Sequence, residues 1–330
     1  MKSMVIHQFG DSHVFEEMVF PKPSVTNNHV LIKVKATSVN PLDYKIRRGL
    51  FPDLVKNFPM TLHGDISGII EEVGTGVTNF SVGDEVYGCI GGLLDMSGGL
   101  AEYVVADKNL IAHKPKNLSF IEAAALPLVA LTAWEGLITY ANTQKNQTVL
   151  IYGGTGGVGH IAIQLAKWLG AKVFATSSSQ EKMELSKKLG ADVAINYKNG
   201  GVKSSITQHT NGLGFDVVFD TVGGENLKES IEVAALFGKV ISILAVGNYD
   251  LSPAFFKGLS IHTVMQPLPL ITGVRREAYG KILEKISELV DQNILKPLID
   301  SQSFTVSQVG QAHDYLESGK AVGKVVLEYA

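Results

Sequence analysis

The sequence predicts an α/β protein of two domains, one β-rich and one built on a doubly wound parallel sheet. Three observations predict this. A length of 330 residues exceeds what one ordinary hydrophobic core serves and suits two. Short strands separated by Gly, Asn and Asp turns prevail to about Asn117, and from Thr148 strands alternate with helices. At that change of rhythm stands a glycine turn, Gly154-Thr155-Gly156-Gly157-Val158-Gly159.

The β-rich part reads as strands over residues 30–36, 68–73 and 101–105, with turns at 74–76 and 83–84. Spaced in this way they suggest a compact barrel or distorted sandwich. Ser119 reads as a helix N-cap with Glu122 as its capping-box partner, and the helix over 121–126 kinks or ends at Pro127. In the second part, strands are expected at 149–152, 172–176, 192–195, 215–220 and 238–244. Helices run from the glycine turn through Lys167 and over 181–189, the latter stopping at Gly190. An amphipathic helix over 279–289 and a strand over 323–328 close the chain.

Composition narrows the function. The chain is 45% hydrophobic and 18% charged, as soluble globular proteins are. Its 29 basic and 32 acidic residues give a net charge of −3. No basic stripe is present, which argues against a nucleic-acid partner. The start of the chain lacks the apolar stretch of a secretory leader. The longest apolar region, 123–134, is interrupted by Pro127 and Thr132 and is too short to cross a bilayer. A cytoplasmic protein with no membrane partner is expected. A single cysteine rules out an intrachain disulfide framework.

The glycine turn comes directly after an apolar strand and opens a helix, the context in which such a turn binds a dinucleotide. Gly154 permits the tight turn, Gly156 lets a pyrophosphate approach the backbone, and Gly159 allows close helix–strand packing. The pyrophosphate would sit over free N–H groups at the positive end of the helix, beside Thr155, Gly157 and Val158. The end of the next strand selects the cofactor. Where NAD sites place a carboxylate for the ribose hydroxyls, this chain has Ser177 and Ser178, with Lys182 beyond. Hydroxyls and a cation suit a 2′-phosphate, and NADPH is therefore expected. One or two charge-assisted hydrogen bonds would favour it over NADH by about ten- to several-hundredfold.

Further motifs carry a family resemblance. They are Ser38-Val39-Asn40-Pro41-Leu42-Asp43-Tyr44-Lys45, Asp65-Ile66-Ser67-Gly68, Gly83-Asp84-Glu85-Val86-Tyr87, Ala123-Ala124-Ala125-Leu126-Pro127-Leu128 and Gly323-Lys324-Val325-Val326-Leu327. With the glycine turn, they resemble the zeta-crystallin-like quinone oxidoreductase and enone (alkenal) reductase branch of the medium-chain dehydrogenases/reductases. That resemblance implies a GroES-like β-rich catalytic domain, residues 1–121 completed by 267–330. A Rossmann domain is inserted at 122–266, and the active site is expected in the cleft between the two. It also implies a homodimer formed along an edge of the Rossmann sheet, for which residues 259–265 are apolar enough.

Related alcohol dehydrogenases hold catalytic zinc with cysteine and histidine ligands. Here the first ligand position holds Asn40, the His-Glu pair becomes Gly64-Asp65, and no cysteine stands near Leu128. Cys89 reads as a buried strand residue, and His63 with Asp65 would make a poor metal site. No metal is expected. Without a Lewis acid, the remaining substrates are those that accept hydride readily, quinones and carbonyls conjugated to C=C. By resemblance Lys45 is the catalytic donor to the carbonyl oxygen and Tyr44 a proton donor or pocket wall, while Asp43 reads as a structural cap. The resemblance also places Asn40, Thr132, Tyr197, Val222, Leu244, Ala245, Val246 and Lys324 along the cofactor. The rival readings are an enoyl-thioester reductase, which needs a basic patch not seen here, and a redox-sensing or structural NADPH binder with little turnover.

Overall fold

The computed structural model describes residues 1–199 and 201–329. The chain divides into two units, Met1–Leu128 with Pro267–Ala330, and Val129–Gln266.

Among the described residues, the second unit carries six parallel strands: Thr148–Ile151, Lys172–Ser177, Val193–Asn196, Phe215–Asp220, Ala234–Ser242 and Ser260–Thr263. Numbered along the chain, they lie in the spatial order 3-2-1-4-5-6. Val149, Leu150, Ile151, Val173, Phe174, Val217, Val218 and Phe219 are all fully buried. Continuous apolar runs of this kind belong to a parallel sheet covered on both faces. The strand order reverses between the first and fourth strands, and ligands of such sheets bind at the carboxyl ends flanking that reversal. The fifth strand starts and ends earlier than the sequence suggests. Its register against the fourth shifts between Phe215 and Val217, and Phe237 takes a positive φ of 59°. Leu244 and Ala245 consequently fall in the loop beyond it. Helices Gly201–Thr210, Glu225–Val233 and Ser252–Lys257 supply the later crossovers.

In the first unit, a seven-stranded sheet is organised around the long strand His29–Val39. Two antiparallel neighbours of this strand bring distant residues together. Ser38 pairs with Asp65 at the start of the strand Asp65–Val73, and Val39 pairs with Val325 at the start of the closing strand. Asn40, Asp65 and Lys324 thereby meet at one end of the sheet, although up to 284 positions separate them. Ser119 caps Phe120–Ala124 with Glu122 completing the capping box, and Pro127 opens a new helix, Pro127–Trp134. The helix Arg276–Asp291 buries Tyr279, Leu283, Ile286 and Val290, one face of a 3.6-residue repeat.

Candidate functional site

The glycine turn has the shape that a pyrophosphate needs. Gly153 takes φ +65°, and the Gly154 N–H donates to the Thr176 carbonyl at 3.0 Å, tying the turn to the neighbouring strand. A Cβ at Gly159 would lie 2.1 Å from the Gly153 oxygen, and one at Gly154 would lie 2.8 Å from Ala175 Cβ. A Cβ at Gly156 would meet only the Gly153 oxygen, at 3.2 Å. Gly156 is exposed and caps the helix Gly157–Trp168, while Thr155 packs beneath it, 6% exposed. The N–H groups of Gly157, Val158 and Gly159 precede the first helical carbonyl partner, so they form the positive end of the helix. The residues present fit a dinucleotide phosphate.

The next strand end separates the expected 2′-phosphate contacts into two kinds. Ser177 is 3% exposed, and its hydroxyl lies 3.0 Å from Ser186 Oγ and 3.3 Å from the Lys182 carbonyl. It holds the helix Gln180–Lys188 against the sheet. Ser179 caps that helix by accepting from the Lys182 N–H. Ser178 and the Lys182 side chain are both partly exposed. Tyr197 is 50% exposed, and its N–H donates to the Ser177 carbonyl at 3.2 Å.

The loops after the fourth and fifth strands depend on Asp220, which is absent from the residues expected at the site. Asp220 Oδ1 accepts from Val222 N and Gly223 N, each at 2.9 Å, and from Asn226 Nδ2 at 2.7 Å; Ser242 Oγ donates to Oδ2 at 3.2 Å. A fully buried carboxylate thus sets the turn carrying Val222 and joins it to the strand that leads to Leu244. Val222 and Val246 are 52% and 70% exposed, whereas Leu244 and Ala245 are half-buried. Thr132 is buried in its helix, 2% exposed. The sequence signal for Asp220 is an Asp ending an apolar strand just before Gly223-Gly224, the composition of an Asx-type turn.

In the first unit, Asp65 is the hub of a buried polar cluster. Its Oδ2 accepts from Ser38 Oγ at 2.9 Å, Asn40 Nδ2 at 2.8 Å and Lys324 Nζ at 3.2 Å, and its Oδ1 accepts from Leu128 N at 2.7 Å. Lys324 Nζ also donates to Val39 O at 3.2 Å and to Asn40 Oδ1. Lys324 is 2% exposed, so its ammonium is committed to this cluster. A buried carboxylate requires such donors, and removing one partner of a buried ion pair costs about 3–5 kcal/mol.

Asn40 is also the N-cap of the helix Pro41–Arg47, and its N–H donates to Asp43 Oδ2 at 2.7 Å. Burial raises the Asp43 carboxyl to about 7, the Asp65 charge adding and the Asn40 N–H and Lys324 charge opposing. Tyr44 and Lys45 lie on the same helix, each half-buried. Burial lowers the Lys45 ammonium. The Tyr44 hydroxyl is raised, mainly by burial and then by the Glu317 carboxylate, with Arg48 opposing.

Zinc does not suit these residues. Among the described residues, no group of three or more His, Cys, Asp or Glu side chains could hold a metal ion. An ammonium already stands against Asp65, where a divalent cation would be repelled. At Gly64 an added Cβ would lie 2.9 Å from Cys89 Sγ and 3.0 Å from the Gly91 oxygen, leaving no room for a ligand side chain. His63 is fully buried, and burial together with the Lys324 charge depresses it to about 3.

This pairing of a nucleotide-binding turn with a GroES-like sheet is that of the medium-chain dehydrogenases/reductases. Residues 26–116 match the alcohol dehydrogenase GroES-like domain, and 157–286 match the zinc-binding dehydrogenase family. The chain belongs to this superfamily, in its quinone oxidoreductase and alkenal reductase branch, and is an oxidoreductase. It is 36% identical to 2-methylene-furan-3-one reductase from Solanum lycopersicum, over 99% of this chain and 79% of that one. Over the same shares it is 33% identical to the chloroplastic NADPH-dependent alkenal/one oxidoreductase of Arabidopsis thaliana. The crystal structure of Escherichia coli quinone oxidoreductase complexed with NADPH superposes with a TM-score of 0.88, at 26% identity and over 100% of both chains.

Proposed function

We propose that this protein is a zinc-independent, NADPH-dependent reductase of quinones or of the C=C bond of α,β-unsaturated carbonyls. The observation that carries the reading is the Asn40–Asp65–Lys324 cluster, in which the first zinc-ligand position and the residue next to the lost histidine are bonded to a lysine ammonium. Bound NADPH would supply hydride to the acceptor. The turn from Gly154 to Gly159 holds the pyrophosphate, Ser178 and Lys182 hold the 2′-phosphate, and Tyr197 packs by the adenosine. Val222, Leu244, Ala245, Val246 and Thr132 flank the nicotinamide half.

Lys45 donates to the acceptor's carbonyl oxygen as negative charge gathers there. Partial burial strengthens that donation, because the local dielectric is lower than that of water. Tyr44 lines the pocket beside it. Among the described residues, the edge strand Ser260–Thr263 is paired on one side only, with the fifth strand, and this supports a homodimer formed along that edge.

The test is NADPH oxidation by the purified protein with an ortho-quinone and an enone in parallel, with and without EDTA. Turnover unaffected by EDTA and sharply reduced in Lys45→Ala is expected. Failure with both acceptors despite NADPH binding would overturn the reading.

A further inference from the structure

We infer that Lys324 is a positioning residue for Lys45, acting through Asn40 and the start of the helix Pro41–Arg47. The inference rests on the reading of Lys45 as the donor to substrate. Three strands bring the parts together: Asp65 begins one, Asn40 follows the end of the second, and Lys324 precedes the third. Asn40 is held on both sides of its amide. Its Nδ2 donates to Asp65 Oδ2 at 2.8 Å, and its Oδ1 accepts from Lys324 Nζ. An amide satisfied at both ends has one orientation, and an N-cap residue of one orientation gives its helix one direction of departure.

The first turn of that helix is fixed further by Asp43, which accepts from the Asn40 N–H at 2.7 Å. Lys45 sits five residues beyond Asn40, close enough that tilting of the N-cap shifts its side chain directly. The ammonium therefore does more than neutralise Asp65. As counter-ion alone it would need only the 3.2 Å contact to Oδ2, yet it also bonds Asn40 Oδ1 and the Val39 carbonyl, which flank the helix start. With its ammonium bonded to Asp65, Asn40 and the Val39 carbonyl, Lys324 acts on turnover through those partners rather than directly.

The experiment is a two-by-two cycle of Lys45→Ala and Lys324→Met, joined by the paired variant Asp65→Asn/Lys324→Met, which removes both buried charges. Each protein is read for kcat, for NADPH affinity by fluorescence titration and for Tm. Lys324→Met is expected to lower kcat by about a hundredfold, the scale of an ångström-sized misplacement. NADPH affinity, set by the other unit, should be unchanged. In the Lys45→Ala background the same substitution should cost no more than about twofold, because its effect passes through Lys45.

The paired variant should regain Tm without regaining kcat, and it carries the test if Lys324→Met alone does not fold. Recovery of kcat along with Tm would show that Lys324 is only the counter-ion of Asp65 and would overturn the inference. Losses that simply add across the cycle, or a Lys324→Met enzyme with normal kcat, would overturn it equally. Full turnover in the single Lys45→Ala variant would instead remove the reading of Lys45 on which the inference stands.

Discussion

The Nε2 atoms of His63 and His313 lie 2.9 Å apart in the core of the first unit, with their rings stacked at 5.1 Å between centroids. One imidazole donates and the other accepts, so the accepting ring must be neutral and the two rings cannot both be protonated. Burial holds His63 at about 3 and His313 well below 6.5, with neighbouring charges acting in the same direction. An unfolded chain takes up protons near 6.5, whereas the native pair does not. The pair's contribution to stability is therefore complete above pH 6.5 and is lost as pH falls from there toward about 3. For His63 alone that shift is worth up to about 5 kcal/mol. Urea midpoints across this range should fall with acid, and the slope should be shallower in His63→Gln.

Asp43 works in the opposite sense. Its folded value of about 7 lies above its ordinary 3.8, so its contribution is complete below 3.8 and lost as pH rises through 7. Asp43→Asn should remove this loss, which appears as a flatter stability curve between those two values. A steeper curve in the variant would contradict the burial argument.

Two alanine substitutions in the glycine turn should differ in kind. Gly159→Ala forces a Cβ to 2.1 Å from backbone oxygen and should destabilise the second unit as a whole. Gly156→Ala meets only the Gly153 oxygen, at 3.2 Å, and otherwise faces the space over the helix start. It should leave stability within about a kcal/mol of its starting value while weakening NADPH binding tenfold or more, about 1.4 kcal/mol. Calorimetry and cofactor titration together distinguish the two.

Cofactor preference should reside in Lys182 and Ser178, because Ser177 is occupied by Ser186 and the Lys182 carbonyl. Lys182→Ala should weaken NADPH by about ten- to a hundredfold, the worth of one charge-assisted bond, and leave NADH unaffected. Ser177→Ala should lower stability more than preference. Equal effects on the two cofactors would place the 2′-phosphate elsewhere.

The lowered Lys45 ammonium predicts the shape of the rate profile. A lysine that donates must be protonated, so kcat should fall on the alkaline side at a pH below the ordinary 10.5. Lys45→Arg should move that limb out of range, since guanidinium stays charged. An unchanged limb in the arginine variant would assign the titration to another group.

The turn from Gly154 to Gly159, the alternation of strands and helices and the capping box at Ser119 and Glu122 are legible in the sequence alone. Each depends on neighbours within a few positions, where backbone geometry and side-chain chemistry are local. In the sequence Ser177 is equivalent to Ser178, but strand alternation points one hydroxyl inward to Ser186 and leaves the other partly exposed. The sequence reads Lys324 as a side chain reaching toward cofactor or substrate and gives no sign of its partners; pairing of Val325 with Val39 and of Ser38 with Asp65 brings it onto Asp65 and Asn40. The roles of Asp220 and of the His63–His313 pair belong to the same class. A buried polar group is defined by the partners that satisfy it, and here those partners arrive from distant strands and helices that only the tertiary fold brings within hydrogen-bonding distance.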